Sequence, residues 1–207
     1  MPAEIVMPRP GLGALAVPLL LVLEQLGLCP GAEQGVQAAV SQLRRRRDAL
    51  SRPGNDAEVL ARRIGRTIPL VYGGGALGAV AAQRWKAQCN ENAKVPAFAN
   101  RVPELCHNEV AGWGQHGDVT RQVLTLVELR HGFEHPQIDR RFGLVNDLVD
   151  EVVGSIERVD AEGEGPLAQL LDLVMFGDVV SVALAIDAGV DPGPIPALEY
   201  VKAGLAS

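Results

Sequence analysis

Two polar runs hold the side chains best suited to moving protons. In Gln88-Cys89-Asn90-Glu91-Asn92-Ala93-Lys94 a carboxylate is flanked by two amides and closely followed by a lysine. The run falls at the end of a helical pattern, where the macrodipole disfavours an acid and welcomes a cation. A solvated helix terminus accounts for it when it is taken alone; the misplaced acid hints at a use or at an uncommon partner. In Pro103-Glu104-Leu105-Cys106-His107-Asn108-Glu109-Val110-Ala111-Gly112-Trp113 a histidine stands between carboxylates. Imidazole titrates near neutrality, so His107 is a candidate proton-transfer group. A helix start with a locally bonded His107 is the plainer reading.

Two further patterns are weaker. Gly73-x-Gly75-x-x-Gly78 follows an apolar run and precedes a helix, as a dinucleotide fingerprint would. That fingerprint also needs an acid about 20 positions on, at the end of a second strand. Glu91 comes too early for it and Glu104 too late, so glycines that let a helix pack close are the preferred reading. His131 and His135 suggest a metal pair, but no third ligand accompanies them, and a surface turn is favoured.

The elements that must position these residues alternate between strand and helix. Helices are expected over about 12–28, 32–50 (Val36, Ala39, Val40 and Leu43 on one face), 77–92, 138–153, 166–188 and 196–203, with another running from an Asn55 N-cap to Ile64. Strands are expected over 68–72, 97–99, 123–129 and 155–159. The alternation predicts an α/β fold with a mainly parallel sheet covered by helices on both faces, in three layers. Ligands in such sheets bind beyond the carboxyl ends of the strands.

Composition narrows the function classes. Of 207 residues, 47% are hydrophobic and 21% charged, the profile of a soluble globular chain. A net charge of -6 argues against a nucleic-acid partner, which demands many phosphate-neutralising cations. Arg44-Arg45-Arg46-Arg47 reads as a solvated helix end, because no aromatic residues interleave with it. Three cysteines without a C-x-x-C indicate reduced thiols in a cytoplasmic protein. The apolar stretch 12–28 contains Pro18 and Glu24 and is read as a buried helix, neither a membrane span nor a signal. Residues 1–10, with three prolines, read as a linker, and 11–207 as the domain proper.

Several runs together resemble one family, the bifunctional phosphoglucose/phosphomannose isomerases built from two sugar-isomerase (SIS) domains. Arg84-Trp85-Lys86-x-Gln88-x-Asn90-Glu91-Asn92-x-Lys94 is similar to that family's R-W-K-x-Q-x-N-E-N-x-K. Pro103-Glu104-x-x-His107-Asn108-Glu109-x-x-Gly112-Trp113 is similar to its P-E-x-x-H-N-E-x-x-G-W. Ala161-Glu162-Gly163-Glu164, then Gly177-Asp178-x-x-Ser181-x-x-Leu184-Ala185, then Lys202 follow in the family's order, and Pro8-Arg9-x-Gly11-x-Gly13 resembles its entry into the second domain.

The resemblance implies the C-terminal SIS domain of such an isomerase, with the linker entering from an N-terminal half outside this chain. It implies that Glu91 is the base moving a proton between C1 and C2 of an open-chain hexose phosphate. It further implies that His107, given by the neighbouring subunit of a homodimer, and Lys202 assist ring opening. No metal or nucleotide cofactor is implied. The phosphate-binding Ser/Thr loop would belong to the N-terminal SIS domain, supplied in cis or in trans. A noncatalytic SIS module that senses phospho-sugars is the alternative, and a nucleotide-binding fragment resting on the glycine pattern is a third reading.

Overall fold

The computed structural model of the chain describes residues 9–206, so all of the expected linker but Arg9 and Pro10 lies outside the described residues. Four parallel strands, β1 (Ile68–Gly74), β2 (Phe98–Val102), β3 (Leu124–Arg130) and β4 (Ser155–Asp160), pair in the order β2-β1-β3-β4. The two inner strands are buried from their second residue on, which explains their almost unbroken apolar character. Their side chains alternate between two cores. Val71, Val127 and Leu129 meet α3 (Asp56–Ile64), α4 (Gly75–Gln88) and α7 (Pro166–Asp187); Leu70, Tyr72 and Leu126 meet α6 (Pro136–Val149). The expected three-layer α/β architecture is therefore present.

Most elements form where the pattern predicts them. α2 spans Ala32–Leu50, and the Asn55 side chain accepts from the amides of Ala57 and Glu58 at 3.0 and 3.1 Å, capping α3. α7 is apolar enough along its 22 residues to cross a membrane, yet it lies against α2, α3 and α4 as a core helix. Short α5 (Gly117–Val123) was not anticipated, since two turns carry too few residues to show a period.

Two expectations fail. α1 (Leu12–Gln25) is a helix but not a buried one: none of its residues is buried, and Leu15, Leu19 and Val22 are more than half exposed. It packs on α2, and its remaining apolar flank has no covering element among the described residues. The arginine run is not a purely solvated end either. Arg46 is buried, forks onto the fully buried Asp172 of α7 at 2.8 and 2.6 Å, and lies over the Phe176 ring. The buried face of α2 runs through Ala39, Gln42 and Arg46, so Val40 is turned out. α8 (Pro196–Leu205) closes the chain with every residue exposed.

Candidate active site

α4 passes directly into one wider π turn, Cys89–Ala93, and Lys94 follows in the left-handed conformation at φ 59°. Such turns inside helices recur at functional positions. The run's own side chains close it. Lys94 Nζ donates to the Glu91 carbonyl at 2.7 Å, and Asn90 Nδ2 donates to the Val95 carbonyl at 2.8 Å.

The acid that seemed misplaced at this helix end has a partner. Arg9 Nε stands 3.5 Å from Glu91 Oε2. The same guanidinium donates to Asn92 Oδ1 and to the carbonyls of Pro192 and Gly193 at 3.0 and 2.7 Å. Arg9 is itself held, because Arg84 donates to its carbonyl at 3.0 Å while forking onto Asp178 at 3.0 and 2.8 Å. Asn92 donates to Ser181 Oγ at 2.8 Å, and Ser181 donates to the Asp178 carbonyl. Burial pushes the Asp178 carboxyl above the ordinary carboxylate range, with Arg84 opposing the shift.

Arg9, Arg84, Asn92, Asp178, Pro192 and Gly193 line a cavity of about 440 Å³ next to Glu91, large enough for a small ligand. Arg9 was missed as a site residue from sequence. The signal pointing to it was an acid at a helix C-terminus in need of a cation, but nothing local selects a residue 82 positions away (91 minus 9).

Glu91 and His107 do not meet within one chain. α4 starts at the carboxyl end of β1 and returns, so the π turn lies at the amino end of the sheet, just before Phe98, which pairs with Leu70. His107 follows Val102, which pairs with Gly74 at the carboxyl end. β2 alone puts on the order of 13 Å between them. His107 is exposed, between short 3₁₀ turns at Glu104–Cys106 and Glu109–Gly112. Lys202 is exposed on α8, which leaves from the segment whose carbonyls hold Arg9.

The glycine pattern at the carboxyl end serves packing. A Cβ on Gly73 would lie 2.0 Å from the Gly78 carbonyl oxygen, and one on Gly74 would lie 2.4 Å from the Glu134 carboxylate. His131 Nε2 contacts the Gly74 carbonyl at 2.9 Å, and His135 caps α6 through Nδ1. Both histidines thus have local structural partners, as the surface-turn reading expects.

Against this geometry, a family model described as the bacterial phospho-glucose isomerase C-terminal SIS domain matches residues 54–205. The chain belongs to that family. A bifunctional phosphoglucose/phosphomannose isomerase from Caldicellulosiruptor bescii is 32% identical over 206 residues, covering 96% of this chain and 60% of that protein. One from Aquifex aeolicus is 32% identical over 195 residues, covering 94% of this chain and 57% of its own length. The chain thus spans about three-fifths of the curated relatives it matches. Among solved structures, a glucose-6-phosphate isomerase like protein from Thermus thermophilus superposes with a TM-score of 0.66 at 23% identity, covering 82% of this chain and 58% of that one. At that identity the likeness supports the SIS fold alone. Glu91, His107, Asp178 and Lys202 fall inside the stretch matched to the SIS family, whereas Arg9 precedes it.

Proposed function

We propose that this SIS domain carries the base of a sugar-phosphate aldose–ketose isomerase acting between glucose 6-phosphate or mannose 6-phosphate and fructose 6-phosphate. The observation that carries the reading is the Glu91 carboxylate on its π turn, beside the Arg9 guanidinium and the adjoining cavity. Glu91 takes the C2 proton of the open-chain aldose, leaving a cis-enediolate, and returns it to C1, while the hydroxyl proton passes from O2 to O1. The Arg9 guanidinium beside Glu91 supplies the positive charge that favours the anionic enediolate. Ring opening needs an acid and a base at the hemiacetal oxygen, roles given to His107 and Lys202. The placement of Glu91 and His107 at opposite ends of the sheet supports a homodimer in which one chain supplies Glu91 and its neighbour supplies His107. A second SIS domain, covalently joined or supplied separately, holds the phosphate.

The test follows fructose 6-phosphate in deuterated water with this chain and an N-terminal SIS domain supplied together. Glu91→Gln should slow label incorporation about 10³-fold and leave ligand affinity nearly intact. Equal rates in both proteins remove Glu91 from the mechanism. Binding without exchange in either protein favours the sensor reading.

A further inference from the structure

The loop carrying His107 is polar and exposed at its tip, yet it is fastened from beneath. Leu105 is fully buried in the core shared with Tyr72, Val102 and Leu126. The Glu109 carboxylate accepts from the Tyr72 hydroxyl with one oxygen and from Asn100 Nδ2 with the other. Tyr72 and Asn100 are register partners on β1 and β2, so a single carboxylate bridges two adjacent strands. Tyr72 is completely buried, and burial together with the bond to Glu109 pushes its hydroxyl well above the ordinary range, keeping it a donor. Asn108 Oδ1 accepts the Glu109 amide at 2.6 Å and shapes the turn between His107 and Glu109. Both carboxylate oxygens are engaged with neutral donors. Hydrogen bonds to an ionised acceptor are roughly twice as strong as neutral ones, which suits a clamp better than a group meant to exchange protons with substrate.

Resting on the isomerase reading above, we infer that Glu109 is a positioning residue: it ties the 103–113 loop to β1 and β2 so that His107 is presented from the carboxyl end of the sheet to the site of a neighbouring chain. The backbone bonds that define the turn report on it directly. The amides of Cys106 and His107 donate to the carbonyls of Pro103 and Glu104, each at 3.0 Å.

Amide exchange in this chain reads the clamp without any activity. In Glu109→Ala, protection at Cys106 and His107 should fall about tenfold or more, with β3 and α7 unchanged, because opening is local. Glu109→Gln, which keeps an acceptor for Tyr72, should recover most of it. Unchanged protection in the alanine variant overturns the inference.

Subunit mixing, with the N-terminal SIS domain present, reads the catalytic consequence. Glu109→Ala alone should lower kcat about 100-fold with KM little changed, as a displaced catalytic group does. Mixed with Glu91→Gln it should regain activity, since one site then joins an intact Glu91 to an intact His107 loop. Mixed with His107→Ala it should not. A subunit that merely folds poorly would recover with neither, and recovery with His107→Ala alone would place Glu109 on the Glu91 side; either result overturns the assignment. An inactive parent protein defeats the isomerase reading, while the exchange measurement still decides whether the clamp exists.

Discussion

The two ends of the sheet use charge in opposite ways. At the carboxyl end, Glu134 packs on Gly74 and accepts from Arg130 at 3.0 and 2.8 Å and from the His131 amide at 3.0 Å. Arg130 also binds Asp139 at 2.7 Å and lies 4.2 Å over the Phe142 ring. The Arg130 and Glu134 side chains are 6% and 7% exposed. At the amino end, Glu91 keeps 35% of its side chain exposed, and its partner Arg9 lines a cavity. In this fold class ligands ordinarily lie beyond the carboxyl ends of the strands. Here the carboxyl ends of β1 and β3 carry the buried Arg130–Glu134 pair, and the half-exposed Glu91 stands at the other end. The two glutamates differ in access: Glu134 is 7% exposed and bonded on both oxygens, whereas Glu91 is 35% exposed beside a cavity-lining cation.

The largest expected effect comes at the accessible end. Arg9→Ala should lower turnover per folded molecule by about 10²- to 10³-fold, the usual loss when a group stabilising a developing oxyanion is removed, and should also lower the melting temperature, because Asn92 and the Pro192 and Gly193 carbonyls lose their donor. Comparable turnover would mean that Arg9 ties the segment down without touching the reaction. Glu134→Ala should cost stability alone. It leaves a buried guanidinium short of a partner and should cost about 2 kcal/mol of stability in urea unfolding, while turnover per folded molecule stays unchanged. A loss of turnover in that variant would join the two ends and break the contrast.

Sequence reading recovered the alternation of strands and helices, the bounds of α2 and the cap on α3, because each rests on a local period or a local side chain. It missed what depends on distant partners. An apolar helix such as α1 reads the same whether or not the chain covers it. Four consecutive arginines look alike, although Arg46 shares a helical stripe with Ala39 and Gln42 and finds Asp172 126 positions away. The acid at the end of α4 was legible as an anomaly, but its cation was not. Glu91 and His107 stand only 16 positions apart (107 minus 91). A strand lies between them, however, and a strand carries whatever follows it to the far end of the sheet.

The smallest effect probes the buried middle of the sheet, between the two ends. Glu128 on β3 is 2% exposed, and among the described residues its Oε1 has no hydrogen-bond partner. Burial holds its carboxyl above the ordinary carboxylate range; Asn146, Arg130 at 3.9 Å and Arg158 oppose that shift, and Glu134 adds to it. The folded chain therefore binds this proton more tightly than the unfolded chain. That contributes stability below the ordinary carboxylate pKa, and the contribution is lost as pH rises through the raised value. Glu128→Gln, which mimics the protonated form, should be about 1 kcal/mol more stable than the parent near pH 8, and the advantage should shrink as pH falls and the parent's own carboxyl takes up its proton. Denaturant melts of both proteins across that range check it. An advantage that persists undiminished into acid would trace to packing, and a variant less stable at every pH would show that Arg130 needs the ionised Glu128 alongside Glu134 and Asp139.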